Sequence, residues 1–105
     1  MFRMAADIIH TKEIYLDLLR KNKRVYKKEY GITRMGIFGS VARGEQTEDS
    51  DVDIYFEADE ISLFRMGGLM YDLQELLGVH VDLVHNTKNL NPHFKQRIEK
   101  DIIYV

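Results

Sequence analysis

Residues 36–56 read GIFGSVARGEQTEDSDVDIYF, and the fold turns on how this stretch is divided. Ile32 to Phe38 (ITRMGIF) is short and partly β-branched and runs into Gly39, which predicts a strand closed by a tight turn. Val41 to Gly44 reads as a short helical turn, and Glu45 to Ser50 as a polar loop. Beyond the loop, Val52, Ile54 and Phe56 alternate with Asp51, Asp53 and Tyr55, the period of a strand with one apolar face. Asp51 and Asp53 therefore project from the same side of that strand, while the apolar residues anchor the other side.

The flanking segments extend the pattern. Tyr15, Leu18, Leu19, Asn22, Val25 and Tyr26 recur at spacings of three and four, so Thr11 to Glu29 reads as an amphipathic helix with Thr11 as N-cap and a stop near Gly31. Ser62 is placed to cap a second helix, whose residues Met66, Leu69, Met70, Leu73, Leu76 and Leu77 keep helical spacing up to Gly78. Gly67-Gly68 interrupts it at a cost of about 1 kcal/mol per glycine, which implies either close backbone packing, the favoured reading, or a kink. Val79 to Val84 forms a third strand. After Asn91-Pro92, His93 to Lys100 makes a last short helix leading to the apolar end Ile102 to Val105.

A length of 105 residues, with 45% hydrophobic side chains and one Pro, predicts a single domain spanning 1–105 with a real core, and excludes disorder as the default. The net charge of −2 gives no reason to expect strong nucleic-acid binding. The basic run Arg20 to Lys28 reads first as a solvated helix face, and second as a phosphate or RNA patch. Cysteine is absent, which removes disulfides, thiolate zinc sites and cysteine nucleophiles. No apolar stretch is long enough for a membrane span, and Met1 to Met4 lacks the start of a signal peptide, so a cytoplasmic protein is expected.

Two carboxylates side by side repel, and a divalent cation between them relieves the repulsion; oxygen donors favour Mg²⁺ or Mn²⁺. An isolated Asp-x-Asp is a weak signal. Asp82 strengthens it, being a charged residue in an otherwise apolar strand where a carboxylate needs a partner. If that strand lies beside Asp51 and Asp53, three carboxylates converge; the competing reading pairs Asp82 with Arg34 or Arg65 in a buried ion pair. Gly39 lets the backbone approach a ligand, Ser40 adds a hydroxyl donor and Arg43 a charged one, which together suit phosphate. The bland alternative uses the glycine only for its dihedral freedom, and no Gly-Lys-Ser/Thr follows, so this is not a Walker A loop. His80 alternates with Asp82 and reads as an ordinary histidine or as a neighbour of the site; His10, His85 and His93 show no ligand spacing.

The combination of Gly39-Ser40-Val41-Ala42-Arg43-Gly44, Ser50-Asp51-Val52-Asp53-Ile54 and Val81-Asp82-Leu83-Val84 closely resembles the minimal nucleotidyltransferases of the DNA polymerase beta superfamily, from about Thr11 onward. That resemblance implies an α/β (α+β) nucleotidyltransferase fold, a small mixed sheet with helices packed on one side. It implies that Gly39 and Ser40 hold the β- and γ-phosphates of ATP with Arg43 near the triphosphate. It also implies that Asp51 and Asp53 bind two Mg²⁺ ions and that Asp82 completes the site of one of them. Proteins of this kind are commonly antitoxins that transfer AMP to a tyrosine of a helical HEPN ribonuclease toxin, so such a partner is expected. Two other functions stay open: an antitoxin that acts by binding and occlusion, and nucleotidyl transfer to a small molecule or an RNA end. Nucleotide preference and oligomeric state, a homodimer included, are not legible in the sequence.

Overall fold

A computed structural model describes residues 11–47 and 49–105; Met1 to Met4, His10 and Glu48, on which the reading above touches, lie outside the described residues. The chain runs α1 (Lys12–Tyr30), β1 (Ile32–Phe38), α2 (Gly39–Arg43), β2 (Val52–Ala58), α3 (Leu63–Leu77), β3 (Val81–His85), α4 (Pro92–Asp101) and β4 (Ile103–Tyr104). The sheet order is β3-β2-β1-β4, with β1 antiparallel to both β2 and β4 and β2 parallel to β3. Parallel neighbours need a crossover, and α3 supplies it.

The period-two pattern of β2 decides the layering. Val52, Ile54 and Phe56 are fully buried against Leu16 and Leu19 of α1 and Leu69, Leu73 and Leu77 of α3. Each such side chain contributes about 1.5–3 kcal/mol by leaving water. In β1 a register irregularity between Ile32 and Arg34 lets Ile32 and Met35 both join this core despite their odd spacing. Helix starts follow local chemistry: Ser62 Oγ accepts from Arg65 N at 3.2 Å, and Asn91 Oδ1 accepts from His93 N at 2.8 Å and Phe94 N at 3.2 Å. Thr11 precedes α1 as expected, but its side chain makes no capping bond.

The mixed sheet and the two long helices on one side agree with the expected fold. The short α4 adds a smaller layer on the opposite face, where Ile98 and Phe94 pack on Phe38 and Tyr55. The reason is that Phe38 and Tyr55 point away from the main core and leave apolar area to cover. The close approach expected at Gly67-Gly68 is made by Gly68 alone, next to Tyr30, while Gly67 faces open space and α3 runs through both. The apolar end forms β4 beside β1. Gly36 permits it, since a Cβ there would stand 2.7 Å from the Ile103 carbonyl oxygen. The basic run of α1 is largely solvated, and its ion pair Lys21–Asp17 at 3.0 Å is exposed on both sides, worth at most about 1 kcal/mol. No helix among the described residues is long and apolar enough to cross a membrane.

Candidate active site

Strand direction brings the motifs together. Because β2 runs antiparallel to β1, its first residues lie beside the last of β1, and Phe38 pairs with Asp53. Because β3 runs parallel to β2, its first residues join them, and Asp53 pairs with Asp82. The Gly39-Ser40 turn, Asp53 and Asp82 thus stand next to one another at a single end of the sheet.

They line a cleft of ≈ 600 Å³. Gly39, Ser40, Arg43, Asp53 and Asp82 form its polar side, and Phe38, Val84, Phe94 and Ile98 its apolar wall. Phe38 and Phe94 meet edge to face with ring centroids 6.2 Å apart. Gly39 has φ +77°, and a Cβ built on it would overlap the Asp53 carboxylate. The glycine is therefore required twice, by its backbone conformation and by the carboxylate at its back. Arg43 is exposed and held by two acids: Nε donates to Glu45 Oε1 at 2.9 Å and Nη1 to Asp101 Oδ2 at 2.7 Å. Lys12 Nζ donates to the Ala42 carbonyl at 3.2 Å and ties α1 to the short helix that carries Arg43.

Asp82 does not form the buried ion pair weighed above. It is exposed on an edge strand, while Arg34 stacks over Tyr104 at 3.7 Å and Arg65 lies 5.4 Å from the Tyr30 ring centroid. The strand reads as buried from its sequence because Val81 is in the core, but Leu83 and Val84 are only half-buried. Asp51 falls just before β2 and outside the cleft lining, at its rim, where its Oδ1 is 3.3 Å from His80 Nδ1. Two charged lining residues escaped the sequence reading, Arg97 and Asp101 of α4, as did the apolar wall. The available signal was their spacing, since Phe94, Arg97, Ile98 and Asp101 recur at three and four and share one helix face.

Asp53 is half-buried, and its carboxyl is pushed up to about 6, first by desolvation and then by the charges of Asp82 and Asp51, with Arg43 pulling the other way. A set of hard oxygen donors whose charges repel in this way suits a divalent cation, so the residues present fit the metal that the resemblance implies. In the metal-free protein the fold keeps the Asp53 proton up to about pH 6, whereas the unfolded chain releases it near 3.8. The contribution of this group to stability is therefore fully present below the unfolded value and is lost as pH rises through the folded one. Chemical denaturation with chelator present is expected to show the stability of the wild type falling relative to that of Asp53→Asn between about pH 4 and pH 6, with added Mg²⁺ raising the wild type at neutral pH; a difference that does not change with pH would remove the electrostatic account.

Comparison with known proteins places this arrangement. A nucleotidyltransferase domain family matches residues 19–105. A candidate protein adenylyltransferase of Methanocaldococcus jannaschii is 44% identical over 92 residues, which cover 85% of this chain and 92% of the relative. The protein adenylyltransferase MntA of Thermococcus cleftensis is 36% identical over 96 residues, covering 90% of this chain and 96% of its own. Among solved structures, a candidate minimal nucleotidyltransferase superposes with a TM-score of 0.76 at 32% identity, covering 90% of this chain and 95% of that one. The same fold, with a TM-score of 0.65 at 18% identity and 90% and 71% coverage, occurs in a complex of a tri-AMPylated Shewanella oneidensis HEPN toxin with its MNT antitoxin. With the match running over most of its length and the relatives covered nearly end to end, this chain belongs to the nucleotidyltransferase domain family.

Proposed function

We propose that this nucleotidyltransferase moves AMP from ATP onto a tyrosine hydroxyl of a helical HEPN toxin and so acts as its antitoxin. The observation that carries the reading is the pairing of Phe38 with Asp53 and of Asp53 with Asp82, which sets the glycine-serine turn and the carboxylates around one cleft. The relatives named as protein adenylyltransferases favour a protein acceptor, and the fold neighbour in complex with an AMPylated HEPN toxin suggests which kind.

In this reading the open backbone at Gly39 and the Ser40 hydroxyl receive the β- and γ-phosphates. Arg43, oriented by Glu45 and Asp101, and Arg97 of the cleft lining supply positive charge toward the triphosphate. Phe38 and Phe94 offer an apolar wall for the base. Asp51, Asp53 and Asp82 would hold the Mg²⁺ ions. When bound, such ions lower the pKa of an acceptor hydroxyl and neutralise charge on a departing pyrophosphate. The acceptor oxygen attacks the α-phosphorus, the bond to the bridging oxygen of the β-phosphate breaks, pyrophosphate leaves, and the hydroxyl proton is lost to solvent.

The test is incubation of the purified chain with a HEPN protein, Mg²⁺ and ATP labelled on its α-phosphate, followed by mass analysis of the acceptor. AMP on a HEPN tyrosine is the expected product. A stable complex without label would replace the proposal with occlusion, and label only on a small hydroxylated compound or an RNA end would replace the acceptor.

A further inference from the structure

His80 stands at the rim for a reason set by the sheet. Val52 N donates to the His80 carbonyl at 3.0 Å, and Val52 pairs with Val81, so the residues preceding these two, Asp51 and His80, are held side by side at the mouths of two parallel strands. Asp82 lies two residues after His80 and projects to the same side. One donor atom from each of Asp51, His80 and Asp82 lies within 4.8 Å of the others. His80 Nδ1 and Asp51 Oδ1 stand 3.3 Å apart, and both side chains are open to solvent. Donors held about 2.1 Å from one ion stand about 3 Å apart when adjacent and about 4 Å when opposite, so the 3.3 Å between His80 and Asp51 matches adjacent ligands and Asp82 stands near enough to complete the set by a side-chain adjustment.

A site of carboxylates alone favours Mg²⁺, whereas an imidazole nitrogen shifts preference toward transition ions. We infer that His80 is a direct ligand, donating Nδ1 to an ion shared with Asp51 and Asp82, and that it biases this position toward Mn²⁺ over Mg²⁺. The inference rests on the reading of the carboxylates as a metal site and goes beyond it by assigning a nitrogen donor and an ion preference. His80 Nδ1 must then be unprotonated, with the proton on Nε2; in the competing arrangement Nδ1 carries a proton and donates it to Asp51, and Nδ1 is no ligand.

The full-length chain, free of nucleotide, is titrated with Mn²⁺ and with Mg²⁺ by calorimetry, and the Mn²⁺ form is examined by pulsed electron paramagnetic resonance for coupling to an imidazole nitrogen. The wild type is expected to show that coupling. His80→Ala, its fold checked by circular dichroism, is expected to lose it and to bind Mn²⁺ at least about tenfold more weakly, while Mg²⁺ affinity changes less than about twofold. Asp82→Asn is expected to weaken both ions. Mn²⁺ bound to the wild type without nitrogen coupling, or equal losses for both ions in His80→Ala, overturns the assignment of His80 alone. Absence of any Mn²⁺ or Mg²⁺ binding by the wild type overturns the metal reading on which it rests.

Discussion

Replacing Asp53 by asparagine is expected to lower nucleotidyl transfer by at least about 10³-fold, the scale lost when a preorganised group that stabilises transition-state charge is removed. The same change is expected to make the metal-free protein more stable. The substitution keeps shape and removes charge at the residue where the carboxylates crowd most. Asp53 is half-buried between Asp51 and Asp82, and desolvation and both neighbours oppose its ionisation. An amide in its place carries no charge to desolvate and can donate to Asp82 where the carboxylate repels it. The gain is on the order of 1 kcal/mol at neutral pH once solvent screening is discounted, or a rise of about 4–8 °C in melting temperature. Asp51→Asn is the informative companion, because Asp51 sits at the rim with its side chain well exposed. It is expected to reduce transfer with little change in stability. Labelling with α-labelled ATP and thermal melts in chelator read both quantities. Transfer by Asp53→Asn within tenfold of wild type would remove Asp53 from the chemistry, and an unchanged melt would remove the argument from crowding.

How far the sequence discloses such a site depends on which residues are positioned locally and which by pairing. The alternation Val52, Ile54, Phe56 is legible because a strand covered by helices on that face must be apolar at every second residue. It also places Asp51 and Asp53 on one side, yet it cannot tell which of them enters the cleft. That is settled by register, through Phe38 opposite Asp53 and Asp82 beside it. Asp82 is visible as a charge among apolar residues, but its exposure is not, since a residue cannot report that its strand is the sheet edge. β4 escapes for the same reason: two residues carry no period, and Ile103 and Tyr104 become a strand only against Ile37 and Gly36. Arg97 and Asp101 reach the cleft because α4 covers the second face of the sheet, a packing driven by Phe38 and Tyr55 far away in sequence. Local chemistry sufficed at the start of α3, where Ser62 caps as its side chain predicts, but not at the start of α1, where the Thr11 side chain makes no capping bond.

Two glycines of the turn motif separate backbone need from site need, and comparing them is expected to give the second large effect. Gly39 and Gly44 both have left-handed backbones, at φ +77° and +74°. An alanine costs about 1–2 kcal/mol at either on this ground alone. At Gly44 a Cβ would meet nothing within 4 Å, so Gly44→Ala is expected to lower the melting temperature by about 4–8 °C per kcal/mol and to leave transfer within about threefold of wild type. At Gly39 the Cβ would collide with the carboxylate of Asp53, whose backbone is held in the ladder between β1 and β3. Something must then move, and the choices are the carboxylate or the turn itself. Moving the carboxylate takes a donor from the metal position, and moving the turn withdraws the backbone and Ser40 from the phosphate side of the cleft. Either way Gly39→Ala is expected to lose at least about 10²-fold in transfer, with a larger fall in melting temperature than Gly44→Ala. The pair of variants thus distinguishes a glycine kept for a turn from one kept to let a carboxylate and a phosphate approach the same point. Equal losses of activity in the two would show that only the turn conformation matters.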